Sequence, residues 1–474
     1  MSRVSREFAG LQLGDARLDR RAVQIAECLS TAPDASFPDV TSDDGELEAL
    51  YRFVNNGRVT AEQLLLPHYE ATGRRAALTG RVIVAHDTTG FSFGGEVERE
   101  GLGRMKTASA HHSQGFYGHV ALAADADSGV PLGVIGLVPV VRTDDPIPYP
   151  DQQSKRHERV REFERWSDLI DVSCRRLEHC KVIHVMDREA DAYELFCKLA
   201  EKPADFVIRS KDDRILDVPP GDKEQPRYLH AAIERGRYVM TREVELSTKR
   251  PDRLGRLRKA SGRMKRLAEL EVTVTQVDIR HPPYVAGKSR KGSALPRAVP
   301  VNVVSVHEVE APIGQPPVDW VLLTTLPIDD MAQVELAIDS YRRRWLIEEY
   351  FKCLKKGCAY EKRQLESKHA LLNVLALFVP IAWRLLTLRT LARETPDQTA
   401  SPILSVRLLK ILKARGKRPI SQPPTLREAM LAIAAEGGHI KNNGDPGWQV
   451  LARGYVKLLY MELGHLIAKS GGKI

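Results

Sequence analysis

A chain of 474 residues, 43% of them hydrophobic, has material for sizeable buried cores and for about three domains. Lysine and arginine total 71 against 62 aspartates and glutamates, and the resulting net charge of +9 favours a polyanionic partner. Six cysteines (Cys28, Cys174, Cys180, Cys197, Cys353, Cys358) make no CxxC pair and follow no secretory leader, so no structural zinc is implied and reduced thiols in a cytoplasmic protein are the expectation.

In chain order, the first 72 residues read as a small helical domain, with helices over Leu13–Leu29 and Glu46–Asn56, a third opening at Thr60-Ala61-Glu62, and turns at Pro33, Pro38 and Gly57. Arg17, Arg20 and Arg21 are candidates for phosphate contacts, and Arg52, near a helix middle, for reading a groove; ordinary surface arginines on a bundle give the same pattern. From Arg81 the chain turns to strands over Val82–Ala85, Gly118–Ala124 and Leu132–Val141. A charged helix over about Lys155–Cys180, a strand Val182–Met186, a helix from Glu189 and a strand Asp205–Arg209 follow. Between Lys211 and about Ile328, β-rich segments (Tyr238–Leu246, Leu270–Ile279, Val299–Val309, Trp320–Thr325) alternate with basic loops, the densest being Lys249–Lys259 with Arg263, Lys265 and Arg266, which reads as a phosphate-binding loop. After Gly357 the pattern is helical again, over Ser367–Arg393, Pro402–Ala414, Leu426–Ala435 and Trp448–Ala468. Asn373, Pro380 and Arg384 interrupt its most apolar stretch, Ala370–Leu388, which argues for a buried helix over a membrane span.

The chemistry concentrates in three places. Two short apolar runs, Val82–His86 and Val182–Met186, each end on an aspartate, Asp87 and Asp187, and ligands gather at strand ends in open α/β sheets. In the stretch Tyr341–Lys355, an ideal helix puts Tyr341, Arg344, Glu348, Lys352 and Lys355 within roughly 80° on one wheel. One carboxylate among three cations suits a face that helps to hold a divalent ion while its neighbours grip phosphate oxygens. Three converging carboxylates suit two ions flanking an in-line phosphoryl displacement. Other acids and histidines read as structural: Glu189 and Asp191 as first-turn carboxylates, Glu349 as lying about 80° off the active face, His86 and His184 as core residues, His111-His112 as a loop.

Asp87-Thr88-Thr89, Asp187-Arg188-Glu189-Ala190-Asp191 and the order Y-x2-R-x3-E-x6-K at Tyr341, Arg344, Glu348 and Lys355 resemble the signatures of the DDE transposases of bacterial insertion sequences. The likeness is greatest to the cut-and-paste branch typified by the kanamycin-resistance transposon. Leu13-Gly14-Asp15 with Arg17, Tyr51-Arg52-Phe53, Phe206–Lys211 and Trp320–Thr324 extend it. The resemblance implies an α/β fold: an RNase H-like core over 73–366 with a β-rich insertion at about 212–328, a helical end-binding domain over 1–72, and a helical dimerisation region over 367–474. It makes Asp87, Asp187 and Glu348 the catalytic ligands of two Mg²⁺ ions, with Mn²⁺ as a substitute, and assigns DNA contacts to Tyr341, Arg344, Lys352, Lys355, Arg209 and Lys211. Trp320 is then the residue that stacks on a flipped base. The implied activity is binding of inverted terminal repeats in double-stranded DNA, synapsis of two ends by a homodimer, cleavage through hairpin ends, and transfer into target DNA. Leu137–Val141 and Phe116-Tyr117 replace tryptophans of the relative. A silent, DNA-binding copy and a metal-dependent structure-selective nuclease are the rivals; the intact acidic triad argues against the first, and the helical head and tail against the second.

Overall fold

The computed structural model describes residues 4–95, 97–105, 113–141, 152–246, 265–285, 288–289, 294–401, 403–440 and 444–469. The basic run 249–259, Arg263 and His111-His112 lie outside the described residues.

Helix starts follow the capping residues. Asp15 caps α1 (Ala16–Thr31), a short α2 (Phe37–Val40) follows, Asp43 caps α3 (Asp44–Val54), and Thr60 with Gln63 forms a capping box on α4 (Ala61–Ala76). The next elements are β1 (Arg81–Phe93), β2 (Gly103–Met105), β3 (Ser113–Asp125), β4 (Pro131–Val140), α5 (Gln152–Arg176), β5 (Lys181–Met186), α6 (Tyr193–Ala200) and β6 (Asp205–Arg209). Beyond them lie α7 (Leu229–Glu234), β7 (Arg237–Leu246), β8 (Arg266–Arg280), the small pair β9 (Tyr284–Val285) and β10 (Lys288–Ser289), β11 (Ala298–Glu308) and β12 (Asp319–Thr324). The chain closes with α8 (Met331–Arg343), α9 (Trp345–Lys352), α10 (Lys368–Glu394), α11 (Val406–Arg415), α12 (Leu426–Glu436) and α13 (Trp448–Lys469).

Among the described residues, ten strands form one sheet. Its path runs β4-β3-β1-β5-β6-β12-β11-β8-β7, with β2 on the open end of β3. The pairs β1/β5 and β5/β6 are parallel and the others antiparallel. The strands of the insertion thus extend the sheet that carries Asp87 and Asp187. Alternation along β6 shows how the sheet is sandwiched: Phe206 and Ile208 pack with Trp166 of α5 and Phe196 of α6, while Val207 between them packs with Val334 and Ile338 of α8.

Two sequence expectations need correction. β1 runs to Phe93, so Asp87 lies in mid-strand instead of at a strand end. The cause is lopsided pairing: β1 leaves β5 at the pair Ala85↔Val185 but stays on β3 as far as Phe93↔Gln114, and Phe91 and Phe93 bury their rings against Tyr360. The helix expected from Glu189 begins at Tyr193, after a single 3-10 turn over Arg188–Ala190.

A helical collar surrounds one end of the sheet. Its core runs from Val4 and Phe8 through α1, α3 and α4, the far half of β1, and α9 to α13, so the N-terminal helices and the C-terminal helices share one interior. At its centre α10 is long and apolar enough to cross a membrane, yet 83% of its most apolar window is buried inside the protein. Asn373, which interrupts the apolar run, donates to the carbonyls of Val54 and Val59, both at 3.0 Å. The backbones of α12 and α13 touch: a Cβ on Gly454 would come within 1.7 Å of the Ile433 carbonyl oxygen, so only glycine fits the crossing.

Candidate active site

The β1/β5 register pairs Arg81 with Lys181 and Ala85 with Val185, a constant offset of 100 residues. Asp87 and Asp187 therefore stand at one level on neighbouring strands, each two residues beyond the last paired position. Asp87 remains held in β1 opposite Val120, and its Oδ1 accepts the Thr88 N–H at 2.7 Å. Asp187, just past the end of β5, caps the 3-10 turn by accepting the Glu189 N–H at 2.9 Å.

The third carboxylate comes from α9. α8 ends at Arg343, Arg344 lies between the two helices, and α9 passes at Cys353 into a single π turn, Cys353–Gly357. Arg344 itself keeps helical backbone angles (φ −50°, ψ −32°), so a wheel drawn for one ideal helix departs from the structure at the π turn, before Lys355. Arg344 and Glu348, four residues apart, do share a face. The Arg344 guanidinium bridges two carboxylates, with NH1 at 3.2 Å from Asp87 Oδ2 and NH2 at 2.8 Å from Glu348 Oε1. Lys355, on the π turn, reaches β1 and donates to the Gly90 carbonyl at 2.5 Å. Burial pulls its pKa down, with Glu361 opposing.

Tyr341 is buried and meets the half-buried Trp320 ring edge-on, with centroids 5.4 Å apart. Arg209, level with Leu322 of β12, donates to the Asp319 carbonyl at 2.8 Å. Lys211 is exposed on the loop after β6. Of these, Arg209 is level with Asp187 on the neighbouring strand, and the Tyr341 ring lies 6.0 Å from the Arg344 guanidinium. Lys352 does not join them: one turn on from Glu348, it turns to Glu349 instead, pairing with it at 2.7 Å, and lies over the Trp345 ring. Glu349 faces away, as the wheel indicates, and is held by Lys352, Arg389 and the Trp448 indole N–H at 3.0 Å.

The arginines of the N-terminal helices stay apart from this centre. Arg17 is 83% exposed and pairs with Asp15, Arg21 is half-buried on α1, and Arg52 sits in the last turn of α3, not near its middle, paired with Glu48 at 3.4 Å. His86 and His184 are buried and joined at 2.9 Å, as expected of core residues. Burial drives the imidazole pKa of both well down. His119, which the sequence reading passed over, binds the Thr88 hydroxyl at 2.8 Å behind Asp87.

Burial, and then the charge of Asp187, push the Asp87 carboxyl up to about 7, with Arg344 pulling it the other way. Among the described residues no three acidic, histidine or cysteine side chains already surround one point. The donor set nevertheless fits a hard divalent cation: it offers carboxylate oxygens only, and a guanidinium monocation stands in between two of them. Asp191, read from sequence as a first-turn carboxylate, is a correction: its side chain is fully buried and spans to the loop after β6. Only tertiary structure could reveal that partner.

A transposase DNA-binding model matches residues 1–59, and a transposase DDE domain model matches residues 157–378, the stretch that holds Asp187 and Glu348. A DDE domain implies an RNase H-like core, and enzymes that carry it generally use divalent metal ions. The chain is a DDE transposase, an enzyme that acts on DNA.

Proposed function

We propose that this transposase binds the inverted terminal repeats of its element, pairs two ends as a homodimer, and cuts and joins DNA with Asp87, Asp187 and Glu348 as the metal-holding triad. The observation that carries the reading is the constant offset of 100 in the β1/β5 register together with the Arg344 bridge, which bring carboxylates 261 residues apart in sequence to one guanidinium. Mg²⁺, or Mn²⁺ in its place, would be held as two ions by these three residues, and when bound would activate the attacking oxygen and stabilise the departing 3′ oxygen.

The chain's own groups supply positioning. Arg344 trades its carboxylate partners for phosphate oxygens of the bound strand, a geometry that a planar guanidinium satisfies bidentately. Lys355, held against β1 at Gly90, sets a second positive charge beside Asp87. Arg209 and Lys211 do the same on the β6 side, and Arg17, Arg21 and Arg52 contact the end sequence at a distance from the cut. The Trp320–Tyr341 pair at the rim offers an aromatic edge for an unstacked base, which is what hairpin ends require. No side chain forms a covalent bond to DNA. The protein acts in the cytoplasm, on the nucleoid.

Replacing Asp187 with Asn tests the assignment. Gel-shift affinity for an end duplex is expected to stay near that of the parent, while nicking and joining in Mg²⁺ fall by orders of magnitude. Undiminished cleavage by Asp187→Asn would remove the aspartate from the catalytic centre.

A further inference from the structure

β5 and β6 are parallel neighbours: Met186, the last residue of β5, pairs with Ile208, so Asp187, the first residue past β5, is level with Arg209, the last residue of β6. Each then enters a loop, and one side chain ties the two loops together. Asp191 Oδ2 accepts the backbone N–H groups of Lys211 at 2.6 Å and of Asp212 at 3.3 Å. Its Oδ1 accepts Arg214 Nε at 3.1 Å and NH2 at 2.6 Å, and the same guanidinium donates to the Asp191 carbonyl. The carboxylate is 0% exposed and Arg214 only 15%. A carboxylate serving a local helix start would accept from the N–H groups of its own turn. This one accepts from residues 19 to 23 positions away, the Ser210 hydroxyl at 3.4 Å included, on the loop that carries Lys211.

We propose that Asp191 is a positioning residue for DNA cleavage: it clamps the Asp187 turn to the Arg209–Arg214 segment and so fixes the spacing between a catalytic carboxylate and the cations that hold the neighbouring phosphodiester. The inference rests on the reading of Asp187 as catalytic. Misplacing a reacting phosphate by about 1 Å can cost on the order of a hundredfold in rate, so a clamp between ligand and phosphate holder acts on the chemical step and not on affinity.

The test is single-turnover cleavage of a labelled end duplex at saturating DNA and Mg²⁺, with products mapped to the nucleotide. Asp191→Asn keeps the shape and one acceptor for the Lys211 N–H but loses the charge that pairs Arg214. The expected result is a rate at saturation about tenfold or more below the parent, cuts at flanking positions, and an end affinity within about twofold. A purely structural role would give a lowered thermal midpoint with correct cut positions.

A double-mutant cycle decides between the two. In an Arg209→Ala/Lys211→Ala background the penalty of Asp191→Asn should shrink to within roughly twofold, because there is no longer a phosphate holder to position. A full penalty in that background overturns the proposal. Where Asp191→Asn alone folds poorly, Asp191→Asn/Arg214→Gln removes the buried charge and is measured in the same cycle. Asp187→Asn run alongside keeps the two claims separate. If it still cleaves, the catalytic reading fails; if it is dead while Asp191→Asn stays uncoupled from Arg209 and Lys211, only the clamp fails.

Discussion

Glu348 and Glu349 are neighbours on α9 with opposite surroundings. Glu348 turns to the sheet and meets Arg344 beside Asp87; Glu349 turns to the collar and gathers Lys352, Arg389 of α10 and Trp448 of α13. On the proposed reading one side of the helix offers charge to a ligand, while the other anchors the helix. The contrast teaches that a carboxylate is reserved for chemistry by what its neighbours leave unsatisfied. Glu349 has three donors and nothing to spare, whereas Glu348 has a single guanidinium that a phosphate can draw away.

Breaking the side proposed as catalytic should have the largest effect. Glu348→Gln is expected to reduce nicking by orders of magnitude while leaving the thermal midpoint near that of the parent, measured on the same preparation by cleavage time course and melt. A large drop in the midpoint would mean that Glu348 too is an anchor. Glu349→Ala should do the converse. It leaves Arg389, 11% exposed, without its carboxylate, and a stability loss of about 3 kcal/mol by urea titration is expected, with cleavage following the folded fraction.

Acid should separate the two kinds of carboxylate. Burial opposes the charge on Glu349, but Lys352, Arg389 and Trp448 outweigh it and hold its pKa below the ordinary 4.5. Glu7, buried in the collar, is held at about 2 against burial by His68 at 2.6 Å and Arg75 at 2.9 Å, while burial keeps His68 itself below its ordinary 6.5. All three folded pKa values lie under the unfolded ones. Their stabilisation is therefore complete above the unfolded value and is lost as pH falls: from 6.5 downward for His68, and from 4.5 toward about 2 for Glu7. Thermal midpoints between pH 7 and pH 3 should fall throughout, and Glu7→Gln should flatten the portion below 4.5. An unchanged slope in that variant would exclude Glu7 as an acid-sensitive anchor.

Smaller effects sharpen the contrast. Trp448→Phe keeps the ring under Arg389 but removes the indole donor to Glu349, and a loss of about 1 kcal/mol is expected. Lys352, 47% exposed, should be the least sensitive: Lys352→Ala should change stability by under about 0.5 kcal/mol. Its cleavage rate is expected to match the parent's. A large cleavage defect would show that Lys352 leaves Glu349 for DNA when the complex forms.

Much of this was legible in the sequence for local reasons. Thr60 and Ser367 mark helix starts because a capping side chain acts within its own turn, whereas the first helix, read from Leu13, begins only after its cap Asp15. Apolar runs of the right length located β5 and β6, and the spacing of 100 between the aspartates is the sheet register itself. What stayed hidden depends on distant partners. β1 overruns β5 because β3 and Tyr360 continue to cover it, the insertion strands join the central sheet through β12 and β6, Asp191 reaches 20 residues onward, and Glu349 reaches 99 to Trp448. The π turn at Cys353 is of the same kind: nothing in Tyr341–Lys355 forbids a continuous α-helix.

The long overhang of β1 also sets an order of assembly. As the chain leaves the ribosome, the β1–β3 pairing that fixes Asp87 is complete once Asp125 has emerged, and Asp187 follows with β5. Glu348 appears 261 residues after Asp87, and the tryptophan that braces its helix comes 100 residues later still. Domains fold from the N-terminus during synthesis, so a nascent chain can hold a folded sheet long before it holds three carboxylates. An interrupted product ending before α9 would keep the arginines of its first helices and, under the proposed triad, lack the means to cut.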